Sequence, residues 1–274
     1  MNILEEIINH KKKEVAERKS LYPVPLLEKS IYFKTPVVSL KKYLKREDKL
    51  GIIAEFKRRS PSKGDINLYA KVEQVSIGYM QAGASALSVL TDNIYFGGRL
   101  GDLTEARTFN FCPILRKDFI IDEYQLMEAK AAGADVVLLI AACLSAEKLH
   151  TLAATAKKLG LEVLMEIHDE MELDKLNSDI DVLGVNNRNL TVFKTDLQQS
   201  IRLSSKIPKD QLKISESGIK TPDDILTLMD AGYDGFLIGE QFMKHADPAR
   251  ACAELIQKTE HLQKSKLWKS KYAD

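Results

Sequence analysis

Glu55 and Lys57 stand at the end of an apolar run, Gly51-Ile52-Ile53-Ala54. The run reads as a strand buried on both faces. Side chains two positions apart on a strand point the same way. A carboxylate and an ammonium therefore sit together at the mouth of a core, where chemistry is done. Ser60-Pro61-Ser62-Lys63-Gly64 follows. This loop is short, polar and basic, and its composition suits closure over an anion. For an isolated Glu-x-Lys the plain alternative is a surface ion pair followed by a turn. That alternative loses ground because further strand ends carry similar polar endings.

Those endings are Arg116-Lys117-Asp118-Phe119, Glu166-Ile167-His168, Asn186-Asn187-Arg188-Asn189-Leu190, Glu216-Ser217-Gly218 and Gly239-Glu240. Val89-Leu90-Thr91-Asp92 leads into Tyr95-Phe96-Gly97-Gly98, and one run ends in plain apolar residues, Leu138-Leu139-Ile140-Ala141. Burying so many charges is costly unless they pair or bind something. A structural ring of salt bridges is the competing reading; it leaves the placement at C-terminal strand ends unexplained. Gly218 and Gly239 each lie ahead of a helical segment. Glycine lets backbone N–H groups approach an anion closely, and helix N-termini favour negative charge. A phosphorylated small molecule is the expected ligand, with ordinary turn glycines as the alternative.

The elements that must position these residues alternate. Strand-like runs fall at 51–57, 86–91, 112–117, 136–141, 161–167, 181–186, 211–216 and 235–239. Helix-like runs fall at 70–82, 101–108, 122–132, 145–159, 169–177, 196–205 and 221–231, with a last helix after Asp247-Pro248. Gly83, Gly133, Gly160 and Gly232 read as helix stops. Alternating β and α with short connections means a parallel sheet. This number of units favours a closed (β/α)8 TIM barrel over an open doubly wound sheet, within the α/β class. Active sites of such barrels sit at the C-terminal ends of the strands, with phosphate after strands seven and eight.

Residues 1–50 read as an N-terminal helical extension packed on the barrel. They hold an amphipathic helix over 3–19, prolines at 23, 25 and 36, and a short helix before Gly51, too little for a separate core. Residues 51–260 form the barrel, and 261–274 a basic, frayed tail in which Trp268 is as easily packed as functional. The chain has 274 residues, 45% hydrophobic and 29% charged, with formal net charge +1. That balance argues against a nucleic-acid partner. No apolar run reaches the roughly 18–20 residues of a membrane span, and the N-terminus does not read as a signal peptide. Cys112, Cys143 and Cys252 are far apart and read as reduced thiols of a cytoplasmic protein. The histidines lack zinc-ligand spacing, so no metal is expected.

The segments EFKRRSPSKG, SVLTD with YFGG, ILRKDFI, LMEIH, GVNNRNL, ISESGI and FLIGE together resemble the indole-3-glycerol phosphate synthase family, in the same order over 51–240. The N-terminal extension resembles that family's too. The resemblance implies a carboxy-lyase of tryptophan biosynthesis. It closes the indole ring of 1-(2-carboxyphenylamino)-1-deoxyribulose 5-phosphate with loss of carbon dioxide and water, and needs no cofactor. It implies that Lys117 is the general acid and Glu166 the general base. Lys57 would pair with the substrate carboxylate, while Glu55, Asn186 and Glu216 orient these groups. Ser60, Arg188, Ser217, Gly218 and Gly239 would contribute to binding, and Phe96, Phe119, Leu138 and Leu190 would wall the aromatic ring. Glu240 departs from the pattern, standing where a serine can help hold the phosphate; Arg99 and Leu100 depart with no clear consequence. A cationic neighbour such as Lys57 is expected to push the Lys117 pKa down. A monomer or weak homodimer is expected. Phosphoribosylanthranilate isomerase would share the phosphate loops, but should lack the Glu55/Lys57 pair and the SPSKG loop. A non-catalytic barrel scaffold would not need Lys117 and Glu166 together.

Overall fold

The structure is a computed structural model that describes the backbone of residues 3–189 and 194–272, with side chains through residue 265. Its strands are β1 (Ile52–Phe56), β2 (Ala86–Leu90), β3 (Ile114–Lys117), β4 (Val136–Ile140), β5 (Glu162–Ile167), β6 (Val182–Asn186), β7 (Lys213–Glu216) and β8 (Gly235–Ile238). They pair in parallel in chain order and close into a barrel. Closure is made by β1 against β8, with Ala54 opposite Ile238.

Period two decides what each strand residue does. On β4, Val136, Leu138 and Ile140 fill the barrel interior, whereas Val137 and Leu139 join the core beneath the outer helices. The interior layer also takes Ile53, Leu115, Leu164, Val182, Ile214 and Leu237. Two residues onward on the same faces come Glu55, Lys117, Glu166, Gly184, Glu216 and Gly239, with Asn186 two beyond Gly184. The alternation that fills the barrel with aliphatic layers thus delivers the polar layer at its C-terminal mouth. The other end is plugged by helix Leu40–Leu44, whose Leu40 and Leu44 belong to the interior core.

Helix Ile3–Leu21 lies outside the barrel. It is tied to helix Glu123–Ala132 by Arg18 with Glu128 and by the Tyr124 hydroxyl, which donates to the carbonyls of Arg18 and Tyr22. Two expectations need correction. The run at 169–177 is a 3-10 helix, Glu170–Lys175, capped by Asp169. The last helix runs Pro248–Tyr272, so the backbone from 261 continues it and does not fray at that point. The weakly marked helix near 101–108 forms as Leu100–Phe109. Among the described residues no helix is long and apolar enough to cross a membrane.

Candidate active site

A cavity of about 350 Å³ opens at the C-terminal end of the barrel. Each candidate residue named from the sequence lines it, except Leu190, which lies outside the described residues. Ile3, Leu4 and Ile7 of the outer helix add an apolar rim that the sequence reading did not place there.

At its floor the Lys117 Nζ donates to Glu166 Oε2 at 2.7 Å and to Glu216 Oε2 at 2.9 Å. Asn186 Nδ2 donates to the other oxygen of Glu166 at 3.0 Å, and Asn186 Oδ1 accepts from the Arg188 backbone N–H at 2.9 Å. Burial alone would lower the Lys117 pKa. Glu166, Glu216 and Glu55 outweigh it and raise the pKa above that of an ordinary lysine. The expectation that Lys57 depresses Lys117 is therefore wrong: Lys57 is spoken for by Glu55 at 2.7 Å, and the nearest charges to Lys117 are carboxylates. Burial pushes Glu166 up, but the charges of Lys117 and His168 and the hydrogen bonds of Lys117 and Asn186 bring it down to about 2. Burial raises Glu216 to about 7; Lys117 offsets part of this and Glu166 adds to it. Two adjacent carboxyls pushed apart in this way around one ammonium have the arrangement that acid–base chemistry uses.

Two glycines make room for this layer. A Cβ on Gly184 would stand 2.4 Å from Glu216 Oε1, and one on Gly239 would stand 2.4 Å from Glu55 Oε1. Gly239 was expected to serve an anion; its smallness also serves Glu55. Gly184 was missed, although a glycine inside a buried strand signals a close approach. His168 was missed as well: its Nε2 is 3.5 Å from Glu166 Oε1, and among the described residues neither ring nitrogen has a hydrogen-bond partner.

Above the floor, Phe96 and Phe119 pack on one another, with centroids 6.1 Å apart and planes tilted by 41°. On the far side, Ser217 takes φ 69° and Gly218 φ 81°. Among the described residues Ser217 is the single non-glycine with positive φ, a conformation that costs an L-residue about 1 kcal/mol or more. Both residues line the cavity. Arg188 donates to Ser62 Oγ at 2.7 Å and to Glu240 Oε2 at 3.0 Å, and Lys63 lies 3.6 Å from Glu240 Oε1. Glu240 thus occupies the cations at the rim.

The chain matches the family model for indole-3-glycerol phosphate synthase over residues 4–255. It is 50% identical over 255 residues to the indole-3-glycerol phosphate synthase of Bacteroides thetaiotaomicron, covering 93% of this chain and 98% of that protein. It is 45% identical over 244 residues to the enzyme of that name from Caldanaerobacter subterraneus subsp. tengcongensis, covering 88% and 93%. Among solved structures, tryptophan synthase subunit alpha from Legionella pneumophila superposes with a TM-score of 0.59 at 16% identity, covering 81% of this chain and 97% of that one. Thiamine phosphate pyrophosphorylase from Pyrococcus furiosus gives 0.59 at 18% identity, covering 78% and 98%. These structures share the fold. On the family match and the identity to its relatives, the chain belongs to the indole-3-glycerol phosphate synthase family.

Proposed function

We propose that Lys117 and Glu166 are the acid and base with which this chain performs its family's reaction, the closure of 1-(2-carboxyphenylamino)-1-deoxyribulose 5-phosphate to indole-3-glycerol phosphate. The observation that carries the assignment is the Lys117 ammonium, held between Glu166 and Glu216 on the floor of the cavity. The surrounding carboxylates keep that ammonium protonated, so a proton is present to give, while its raised pKa makes it a weaker acid than a free lysine until substrate displaces or neutralises a carboxylate.

The ring carbon bearing the carboxylate attacks the ribulose ketone, and the ketone oxygen takes a proton from Lys117. The bond to the carboxylate then breaks. Carbon dioxide leaves, and the electron pair restores the aromatic ring. Lys57, beside Glu55, holds the carboxylate until that moment. Lys117, reprotonated from solvent, gives the proton with which the new hydroxyl departs as water, while Glu166 removes a proton from the carbon next to the ring nitrogen and returns it to solvent. Asn186 fixes Glu166 through the hydrogen bond described above. Phe96, Phe119 and Leu138 wall the aromatic ring. Ser60, Arg188, Ser217, Gly218 and Gly239 receive the sugar phosphate. Holding attacking carbon and ketone in contact is itself worth several kcal/mol, about 7–11 in the best intramolecular cases.

The test is the growth of indole fluorescence when the purified protein meets the carboxyphenylamino substrate, in wild type and in Lys117→Ala and Glu166→Gln. Product formation by wild type alone supports the assignment. Undiminished rates in the variants would remove both residues from it.

A further inference from the structure

Lys11, on the outer helix, is fully buried. Its ammonium lies 2.9 Å from Asp92 Oδ2, 3.0 Å from Asp118 Oδ1 and 2.8 Å from Glu14 of its own helix. Asp92 and Asp118 are themselves buried and come from different loops, those following β2 and β3. Burial alone would lower the Lys11 pKa, and Asp118, Asp92 and Glu14 together raise it, so the cation is secure.

Each aspartate also shapes its loop. Asp92 Oδ1 accepts the Tyr95 N–H at 2.8 Å, and the Asp92 carbonyl accepts the Gly98 N–H at 2.7 Å. These bonds fold the turn that carries Phe96. Asp118 Oδ1 accepts the Phe119 N–H at 2.8 Å, and its Oδ2 accepts from Thr91 at 2.6 Å and Arg116 at 3.1 Å. These bonds hold the stretch that carries Lys117 and Phe119. Lys11 is the cation between the two aspartates. Without it, Asp92 would lose the cation that the described residues place beside it, and the two buried carboxylates would repel.

We infer that Lys11 is a positioning residue that sets where the packed pair Phe96 and Phe119 stands, and with it the width of the slot that this wall leaves for the substrate's aromatic ring. This rests on the reading that those two rings wall the substrate's aromatic group. A helix anchor with no bearing on the slot would stabilise the fold but leave ring selectivity alone.

Selectivity is therefore the readout. The ratio of kcat/KM for the unsubstituted substrate to that for one carrying a methyl on its aromatic ring is measured in wild type, Lys11→Met, Lys11→Arg and Phe119→Ala. Loss of folded protein lowers both values equally and leaves the ratio unmoved. The expected result is a ratio shifted by about tenfold or more in both Lys11 variants, the lower end of the scale on which one methylene is discriminated by a pocket. Should Lys11→Met not fold, Lys11→Arg keeps the charge in a larger head and decides by the same ratio. A ratio that holds in the folded Lys11 variants but moves in Phe119→Ala overturns the role of Lys11 alone. A ratio that also holds in Phe119→Ala overturns the aromatic slot on which the inference rests.

Discussion

Gly184 on β6 leaves out a side chain where Glu216 on β7 puts a carboxylate: a Cβ at the glycine would stand 2.4 Å from Glu216 Oε1. That oxygen has no hydrogen-bond partner among the described residues, while Oε2 accepts from Lys117 at 2.9 Å. Gly184→Ala should push the carboxylate aside. The clash falls on the far end of a long side chain, which can swing, so the barrel should survive. The expected outcome is a kcat lowered by about tenfold or more, since small displacements of catalytic groups are costly, with a melting temperature close to wild type. Steady-state kinetics and thermal unfolding check it. A wild-type kcat would show that the seat of Glu216 does not matter.

The same carboxylate governs a pH dependence. Burial lifts the folded Glu216 pKa to about 7, above the ~4.3 of an unfolded glutamate. Between those values the folded protein keeps a proton that the unfolded chain releases. Stability from this group is therefore lost as pH rises from about 4.3 to 7, with a limiting slope near 1.4 kcal/mol per pH unit. Glu166, lowered to about 2, acts with the opposite sign and below that window. Glu216→Gln should flatten the decline. Denaturant titrations across the window measure it, and an unchanged slope would remove Glu216 as its source.

Glu240 makes a third case. It engages Arg188 at 3.0 Å and Lys63 at 3.6 Å, so an incoming phosphate competes with a carboxylate for both cations. Glu240→Ser should release them and lower the inhibition constant of inorganic phosphate several-fold, on the order of the ~1 kcal/mol of a partly exposed ion pair. Weaker phosphate inhibition in this variant would mean that Glu240 assists the anion by holding Arg188 in place.

The barrel and most of this site were legible because both follow from period two. Leu115 and Lys117, or Leu164 and Glu166, share a face whatever the rest of the chain does. What the sequence withheld depends on distant neighbours. Lys11 stands in a run with Lys12 and Lys13, which are exposed, and nothing in residue type separates them. Its burial is created by Asp92 and Asp118. The direction of the Lys117 pKa likewise turns on whether Lys57 or the carboxylates stand closest. Ser217 carries a positive φ with no residue-type signal, since serine is not the residue that adopts it easily. The 3-10 turn at Glu170–Lys175 was read as a helix because its composition suits either form.

The loop after β1 supplies the last prediction. Arg59–Ser60 and Gly64–Asp65 pair as a small antiparallel hairpin, with Arg59 opposite Asp65. Its tip, Pro61-Ser62-Lys63, lines the cavity and reaches the loop after β6 through Ser62 to Arg188, and the short helix Glu240–Met243 through Lys63 to Glu240. These ties are few and partly exposed, so they can break and remake as substrate enters, in the manner of a lid that moves on the microsecond to millisecond scale. Pro61 is exposed, and its ring restricts the backbone of the tip. Pro61→Ala should widen the tip's range of conformations and lower kcat several-fold. The melting temperature should move little, because the residue contributes nothing to the core; its loss acts mainly on chain entropy, about 0.4–1 kcal/mol. Relaxation dispersion on the loop amides, with and without inorganic phosphate, would show the motion directly. A kcat unchanged by Pro61→Ala, or a melting temperature that collapses, would make the hairpin a structural turn and not a lid.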